Sequence, residues 1–236
     1  MRVTAIVPAA GAGSRIAIKK GRRKPFLIVN DKPILIHTLI ALERSGVIDD
    51  IIVVVHRDDV ARCITALRRY GLRKITRVIA GGKTRFESVR KGLFSVKGNP
   101  DAVIVHDGVR PIIDKDIISK SIKACRRFGA AVCGVPATST HKLVRNDLTV
   151  KATADRRRLY SIQTPQVFKK DIILKAYKRY ARCKQSDGIT DDSVLVEKLG
   201  YKVKVVPGSY ENIKITTPQD LILAKMLLKR DRFKAL

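Results

Sequence analysis

The sequence predicts an α/β domain: a mostly parallel, twisted sheet flanked by helices, with one β-hairpin arm protruding from the body. Short Val- and Ile-rich runs recur through the first two-thirds of the chain, amphipathic helix-period segments separate them, and a polar, β-branched stretch at 136–158 breaks the alternation. Continuous apolar runs suit strands buried on both faces. A helix between successive strands makes them parallel, with right-handed crossovers.

The strands are expected at 3–7, 51–55, 75–79, 102–105 and 130–135. Between them, Val60, Cys63, Ile64 and Leu67 fall on one face of a helix over 58–70, and Ile118, Ile122 and Cys125 repeat the device over 114–128. Thr84-Arg85-Phe86-Glu87 has the form of a capping box and predicts a helix start. In the arm, Asn146-Asp147 is a plausible turn between strands at 141–144 and 148–152. Helical patterns resume at 170–181 and 190–199, a strand follows near 203–206, and Thr217-Pro218-Gln219-Asp220 opens a last helix with an N-cap threonine and a proline at its first position. With no internal repeat or low-complexity linker, the expectation is one domain over 1–236 carrying an inserted arm at about 136–158.

The chain has 236 residues, 45% of them hydrophobic, enough for a sizeable core. The longest strand-like apolar run, at 51–55, is far short of the roughly 20 residues a membrane span needs, and no signal peptide is visible at the start. Four cysteines, Cys63, Cys125, Cys133 and Cys183, form no C-x-x-C pair. These features predict a cytoplasmic protein with reduced thiols and no membrane partner. The 49 Lys and Arg against 21 Asp and Glu leave a net charge of +28, which points to anionic partners or to a solvated basic surface. With six Phe, six Tyr, no Trp and no basic tail, stacking platforms for single-stranded nucleic acid are poorly supplied, and no specific nucleic-acid partner is expected.

Gly11-Ala12-Gly13-Ser14-Arg15 follows the first strand directly, and Lys19, Lys20, Arg22, Arg23 and Lys24 come next. Glycines there let backbone N–H groups approach a phosphate or base, so a polyphosphate site is favoured over a solvated basic loop. The third glycine of a dinucleotide fingerprint is missing, since position 16 is Ile. Gly82-Lys83-Thr84 resembles the end of a P-loop, but the earlier glycine falls on Arg77. His106-Asp107-Gly108-Val109-Arg110-Pro111 sits at the carboxyl end of the fourth strand, where open α/β sheets bind ligands. Asp107 there can hold Mg²⁺ or a ribose and Arg110 can fork onto a phosphate, or the pair can be a helix cap and a surface base. His106, with no partner at ligand spacing, reads as structural. No zinc site, Ser-His-Asp order or catalytic cysteine can be built from these spacings.

Six segments in order, Val7 to Arg15, Gly81-Gly82 with Arg85 and Ser88-Val89, His106-Asp107 with Arg110-Pro111, Gln163 to Gln166, Ile189 to Asp192, and Asn212 to Thr216, resemble the 2-C-methyl-D-erythritol 4-phosphate cytidylyltransferase family of the non-mevalonate isoprenoid pathway. The resemblance runs from about residue 3 to 230. It implies a Rossmann-like nucleotidyltransferase whose arm interlocks two subunits, a homodimer. It implies that Ala9, Ala10, Gly11, Gly13, Gly82, Ser88 and Asp107 hold the nucleotide. Arg15 and Lys24 grip the triphosphate, and Asp107, Arg110, Thr140, Arg156, Thr164, Thr190 and Lys214 hold the methylerythritol phosphate. Arg15, Lys24, Arg156 and Lys214 are the implied catalytic set. Thr140 and Arg156 lie on the arm and serve the neighbouring subunit's site. The implied cofactor is Mg²⁺, held mainly by the phosphates of CTP.

The chain departs from the family pattern in places. Arg23 precedes Lys24 where a proline is usual, and the Arg15–Lys24 spacing is two residues longer than usual, so Arg22 and Arg23 compete with Lys24. Ser139 and Lys83 stand where acids are usual. The implied reaction is in-line attack of the substrate phosphate on the α-phosphorus of CTP, giving 4-diphosphocytidyl-2-C-methyl-D-erythritol and pyrophosphate. A phosphomonoester is mostly dianionic at neutral pH and needs no general base, so positioning and charge neutralisation carry the rate. The alternatives are a ribitol 5-phosphate cytidylyltransferase, a basic nucleic-acid-binding protein and, weakened by Ile16, a dinucleotide oxidoreductase.

Overall fold

The Val/Ile runs pair into one seven-stranded sheet. The computed structural model describes residues 1–11, 23–180, 189 and 191–234, the last four by their backbone. In chain order the elements are β1 (Val3–Ala9), β2 (Ile28–Val29), β3 (Lys32–Pro33), α1 (Ile34–Arg44), β4 (Asp50–Val55), α2 (Val60–Arg69), β5 (Ile75–Ala80), α3 (Arg85–Phe94), β6 (Ala102–Val105), α4 (Lys115–Phe128) and β7 (Ala130–Pro136). After these come β8 (Lys142–Val144), β9 (Val150–Thr153), β10 (Tyr160–Lys169), α5 (Lys170–Tyr180), α6 (Ser193–Glu197), β11 (Lys204–Pro207) and α7 (Pro218–Lys234).

The strand order is β11-β7-β10-β6-β1-β4-β5. β1 runs parallel to both β4 and β6, β4 to β5, and β11 to β7, while β10 is antiparallel to β6 and β7. The sheet is therefore mostly parallel, as the sequence predicts.

Alternation along β1 shows why the sheet must be covered twice. Val3, Ala5 and Val7 pack on one face with Leu35, Leu39, Cys63, Leu67, Ile118 and Cys125 from α1, α2 and α4. Ile6 packs on the other with Val89, Leu93, Ile173, Tyr177 and Leu195 from α3, α5 and α6. Each large side chain so buried contributes about 1.5–3 kcal/mol. α4 ends at Gly129, whose φ of +86° is the left-handed cap that glycine adopts without strain. A third cluster, Val29, Ile34, Val109, Ile112, Ile215 and Ala224, seats α7 against β2, α1 and the loop after β6. Cys63, Cys125 and Cys133 are free and buried, and burial pushes each thiol up to about 12. Cys183 lies outside the described residues.

α1, β2, β3 and β10 are additional to the elements the patterning predicts. The helix expected over 190–199 is described as the short α6. The arm is a separate two-stranded sheet of β8 and β9, every residue of which is exposed.

Candidate active site

β1 is flanked by β6 on one side and β4 on the other, so the chain winds both ways from it, and ligands bind at such a point beyond the carboxyl ends of the strands. A cleft of about 980 Å³ opens there. One wall is the end of β1, Pro8 to Gly11, and a second is the loop after β5, Ala80 to Thr84, with Arg85, Glu87, Ser88 and Lys91 of α3. Asp107, Val109, Lys214, Lys24, Pro25, His56 and Arg57 complete it.

The two glycine-bearing segments touch. A Cβ on Gly81 would stand 2.5 Å from Ala10 Cβ and 2.8 Å from Ser88 Oγ, so only glycine permits this approach. Ser88 Oγ accepts a hydrogen bond from the Gly82 N–H at 3.1 Å and donates to the Thr84 carbonyl at 2.9 Å. Lys91 Nζ donates to the Gly81 carbonyl at 2.8 Å. Thr84 Oγ1 caps α3 by accepting from the Glu87 N–H at 3.1 Å, as the capping box predicts, while Glu87 Oε2 accepts from the N–H of Lys83 at 2.7 Å. These bonds brace the backbone of this loop against α3.

Asp107 forms the charged floor. Its Oδ1 is 3.2 Å from Arg85 Nε, and its Oδ2 is 2.9 Å from Lys214 Nζ and 3.5 Å from Arg110 Nε. Burial alone would raise its pKa, but Arg85, Lys214 and Arg110 outweigh burial and hold the carboxyl well below the ordinary carboxylate range. One carboxylate shared among three cations leaves positive charge facing the cleft, as a binder of phosphate esters requires.

Behind Asp107 a buried network fixes the turn. Arg110 carbonyl oxygen can only accept, so His106 Nε2, 3.1 Å away, carries the proton. His106 Nδ1 then accepts from the Thr164 hydroxyl at 3.1 Å, and that hydroxyl accepts from the Asp107 N–H at 3.1 Å. Thr164 can therefore meet a substrate only through its remaining lone pair. Arg110 Nη1 donates to the Asn212 carbonyl at 2.7 Å, and Asn212 Nδ2 donates to the Thr164 carbonyl at 2.8 Å, which ties the Lys214 segment to β10.

A second acidic anchor lies opposite. Arg85 Nη2 is 2.8 Å from Asp192 Oδ2, and the other Asp192 oxygen accepts from the buried Tyr177 hydroxyl. Gln166 accepts from the Asp192 N–H at 3.0 Å and donates to Asp191 at 2.8 Å. Partial burial works against the charge of Arg85, yet Asp192 and then Asp107 hold its pKa above the ordinary range. The roles of Arg85, Gln166, Asp192 and Asn212 were not assigned from sequence, although all four stand inside the quoted motifs.

Of the sequence-predicted site residues, Ala9, Ala10, Gly11, Lys24, Gly82, Ser88, Asp107 and Lys214 line the cleft, with Arg110 and Thr164 directly behind Asp107. Arg15, Gly13 and Thr190 lie outside the described residues, as does Arg22. Arg23 turns away, its guanidinium 3.1 Å from Asp58 and 3.2 Å from Asp59 at the start of α2, whereas Lys24 borders the cleft. Thr140 and Arg156 are exposed on the arm and are not among the residues lining the cleft of their own chain. Both Asp107 oxygens are engaged by cations, so this carboxylate as it stands does not fit as a metal ligand.

The comparisons with known proteins agree along the whole chain. The family model for 2-C-methyl-D-erythritol 4-phosphate cytidylyltransferase matches residues 3–230. A relative of that name from Syntrophus aciditrophicus is 44% identical over 232 residues, covering 98% of this chain and 97% of that one. Another, from Desulforamulus reducens, is 45% identical, with coverage of 97% and 96%. The crystal structure of 4-diphosphocytidyl-2C-methyl-D-erythritol synthase from Anaerococcus prevotii superposes with a TM-score of 0.85 at 36% identity, covering 97% of this chain and 96% of that one. Sequence and backbone agree over nearly the full length, and four of the six quoted motifs contribute residues to one cleft. On those grounds the chain belongs to the 2-C-methyl-D-erythritol 4-phosphate cytidylyltransferase family.

Proposed function

We propose that this chain transfers the cytidylyl group of CTP to 2-C-methyl-D-erythritol 4-phosphate, with the residues of the cleft in the following roles. The observation that carries the reading is the match of a cytidylyltransferase family over residues 3–230, with residues of four of the quoted motifs lining one cleft at the carboxyl ends of β1, β5 and β6.

The backbone of Ala9–Gly11 and Gly82, braced by Ser88, receives cytosine and ribose. Lys24, with Arg15, neutralises the triphosphate. Lys214 and Arg110, aligned by Asp107, receive the methylerythritol phosphate, with Thr164, Thr190 and, from a partner subunit's arm, Thr140 and Arg156. A non-bridging oxygen of the substrate phosphate forms a bond to the α-phosphorus of CTP. The bond from that phosphorus to the α–β bridging oxygen breaks, and pyrophosphate leaves with the electron pair. No proton transfer is needed, because the nucleophile is already a dianion at neutral pH. The cations act by bringing two anions together and by taking up charge on the leaving group. Mg²⁺ enters as part of the nucleotide substrate, bound by its phosphates. A cytoplasmic homodimer joined by the arms completes the reading.

Pyrophosphate release with CTP and each polyol phosphate tests it. Turnover with methylerythritol phosphate well above that with ribitol 5-phosphate is the expected result. Preference for ribitol 5-phosphate, or no release with either, would overturn it.

A further inference from the structure

Arg85 opens α3 directly after the glycine loop that lines the nucleotide side of the cleft, yet both working edges of its guanidinium point elsewhere. Nε meets Asp107 Oδ1 at 3.2 Å and Nη2 meets Asp192 Oδ2 at 2.8 Å. We propose that Arg85 is a positioning residue for the polyol-phosphate half of the cleft, joining the Asp107 floor to the segment that begins α6. The proposal rests on the cytidylyltransferase reading and assigns a role within it.

Two consequences of removing the guanidinium act on the same substrate. Asp107 would then be shared by Lys214 and Arg110 alone, and each would be drawn more tightly to it and would offer less charge to a substrate phosphate. Asp192, fully buried, would lose its only cationic partner among the described residues and keep the Tyr177 hydroxyl. An uncompensated buried carboxylate is costly, so residues 191–192 would shift to hydrate it. That shift would pull on Gln166, bonded to the Asp192 N–H and to Asp191, in the strand that also carries Thr164. The nucleotide loop has separate supports: Ser88 on Gly82, Lys91 on Gly81, and the Thr84 cap. Stacking of Phe86 on Tyr177, with ring centroids 4.8 Å apart, also survives loss of the guanidinium. Damage should therefore fall on one substrate and spare the other.

Steady-state kinetics of Arg85→Gln, Arg85→Lys, Asp192→Asn and the double variant Arg85→Gln/Asp192→Asn test this. Arg85→Gln should raise KM for methylerythritol phosphate by about tenfold or more while KM for CTP moves by less than about threefold. Arg85→Lys should fall between Gln and wild type, since one ammonium cannot bridge two carboxylates. The double variant should be about as impaired as the worse single one, because the two residues form one link. If Arg85→Gln shows no cooperative unfolding transition, Arg85→Lys and Asp192→Asn supply the same reading of the two KM values. Equal rises in both KM values, a loss of kcat alone in proportion to the folded fraction, or wild-type behaviour of Arg85→Lys would overturn the proposal. Wild-type protein releasing no pyrophosphate from CTP and methylerythritol phosphate would overturn the activity instead, before any variant is read.

Discussion

His106 has no exposed surface, and both of its ring nitrogens are used, one toward Arg110 and one toward Thr164. Burial pushes its pKa down from 6.5 to about 4, because a charged imidazole there would lose its water and its acceptor role at Nδ1. Between those values the unfolded chain binds a proton that the folded chain refuses, so stability is present above about pH 6.5 and is lost as pH falls toward 4. Integrated from pH 7 to pH 5, this single group removes on the order of 2 kcal/mol. Asp107, depressed by its three cations, acts in the same direction but at lower pH. Urea unfolding at pH 7 and pH 5 should show that loss in the wild-type protein and a much smaller one in His106→Gln; equal losses would place the acid sensitivity elsewhere. At this scale the motif residues are legible as residue types with plausible chemistry, but their partners are not. Arg85 meets Asp107 and Asp192, and nothing in local spacing announces a contact across 107 positions of chain. Thr164 is another case. Its hydroxyl is as available as any in the sequence, and only the fold shows it spent on His106 and the Asp107 backbone.

Elements built from local signals follow the sequence closely. The capping box at Thr84 starts α3 where predicted, and the Thr84 hydroxyl satisfies the Glu87 N–H. Thr84→Ala should cost about 1 kcal/mol of unfolding free energy, and Thr84→Ser should restore most of it, since serine keeps the acceptor. Denaturant titration of the two variants checks this, and an unchanged midpoint for Thr84→Ala would show that the cap contributes nothing. α1 escaped the pattern for a physical reason. Ile34, Leu35, Ile36, Leu39 and Leu42 are all buried, so the segment shows no clean polar face, and Pro33 at its start makes no side-chain cap. β10 escaped it because Gln163, Thr164, Pro165 and Gln166 read as a loop. They sit inside the sheet because their polar groups are bonded to Ser209, Asn212, His106 and Asp191, and a register shift between Ile162 and Gln166 accommodates the proline.

Among the described residues, the arm stands apart from the seven-stranded sheet. β8 and β9 pair only with each other, and Leu143, Val144, Leu148 and Val150 are 53–80% exposed there. An isolated two-stranded hairpin is marginal in water, and the arm-joined homodimer proposed above would support it. Arg156 makes one bond within the arm, from Nη1 to the Thr138 carbonyl at 3.2 Å, and the rest of its guanidinium is exposed. If it serves the partner's cleft, Arg156→Ala should raise KM for methylerythritol phosphate far more than KM for CTP. Lys214→Ala should be inactive through the cleft of its own chain. A mixed dimer of the two variants then contains one site with both substitutions and one with neither, because each site draws Lys214 from one chain and Arg156 from the other. Mixing the two impaired proteins under conditions that exchange subunits, and assaying with methylerythritol phosphate well below the raised KM, should therefore restore activity, up to half the wild-type value for each heterodimer. Subunit exchange is checked separately by mass, using a tagged copy. Arg156 acting within its own chain gives two impaired sites in every heterodimer and no recovery, and Arg156 acting as a solvated surface base leaves its variant fully active from the start.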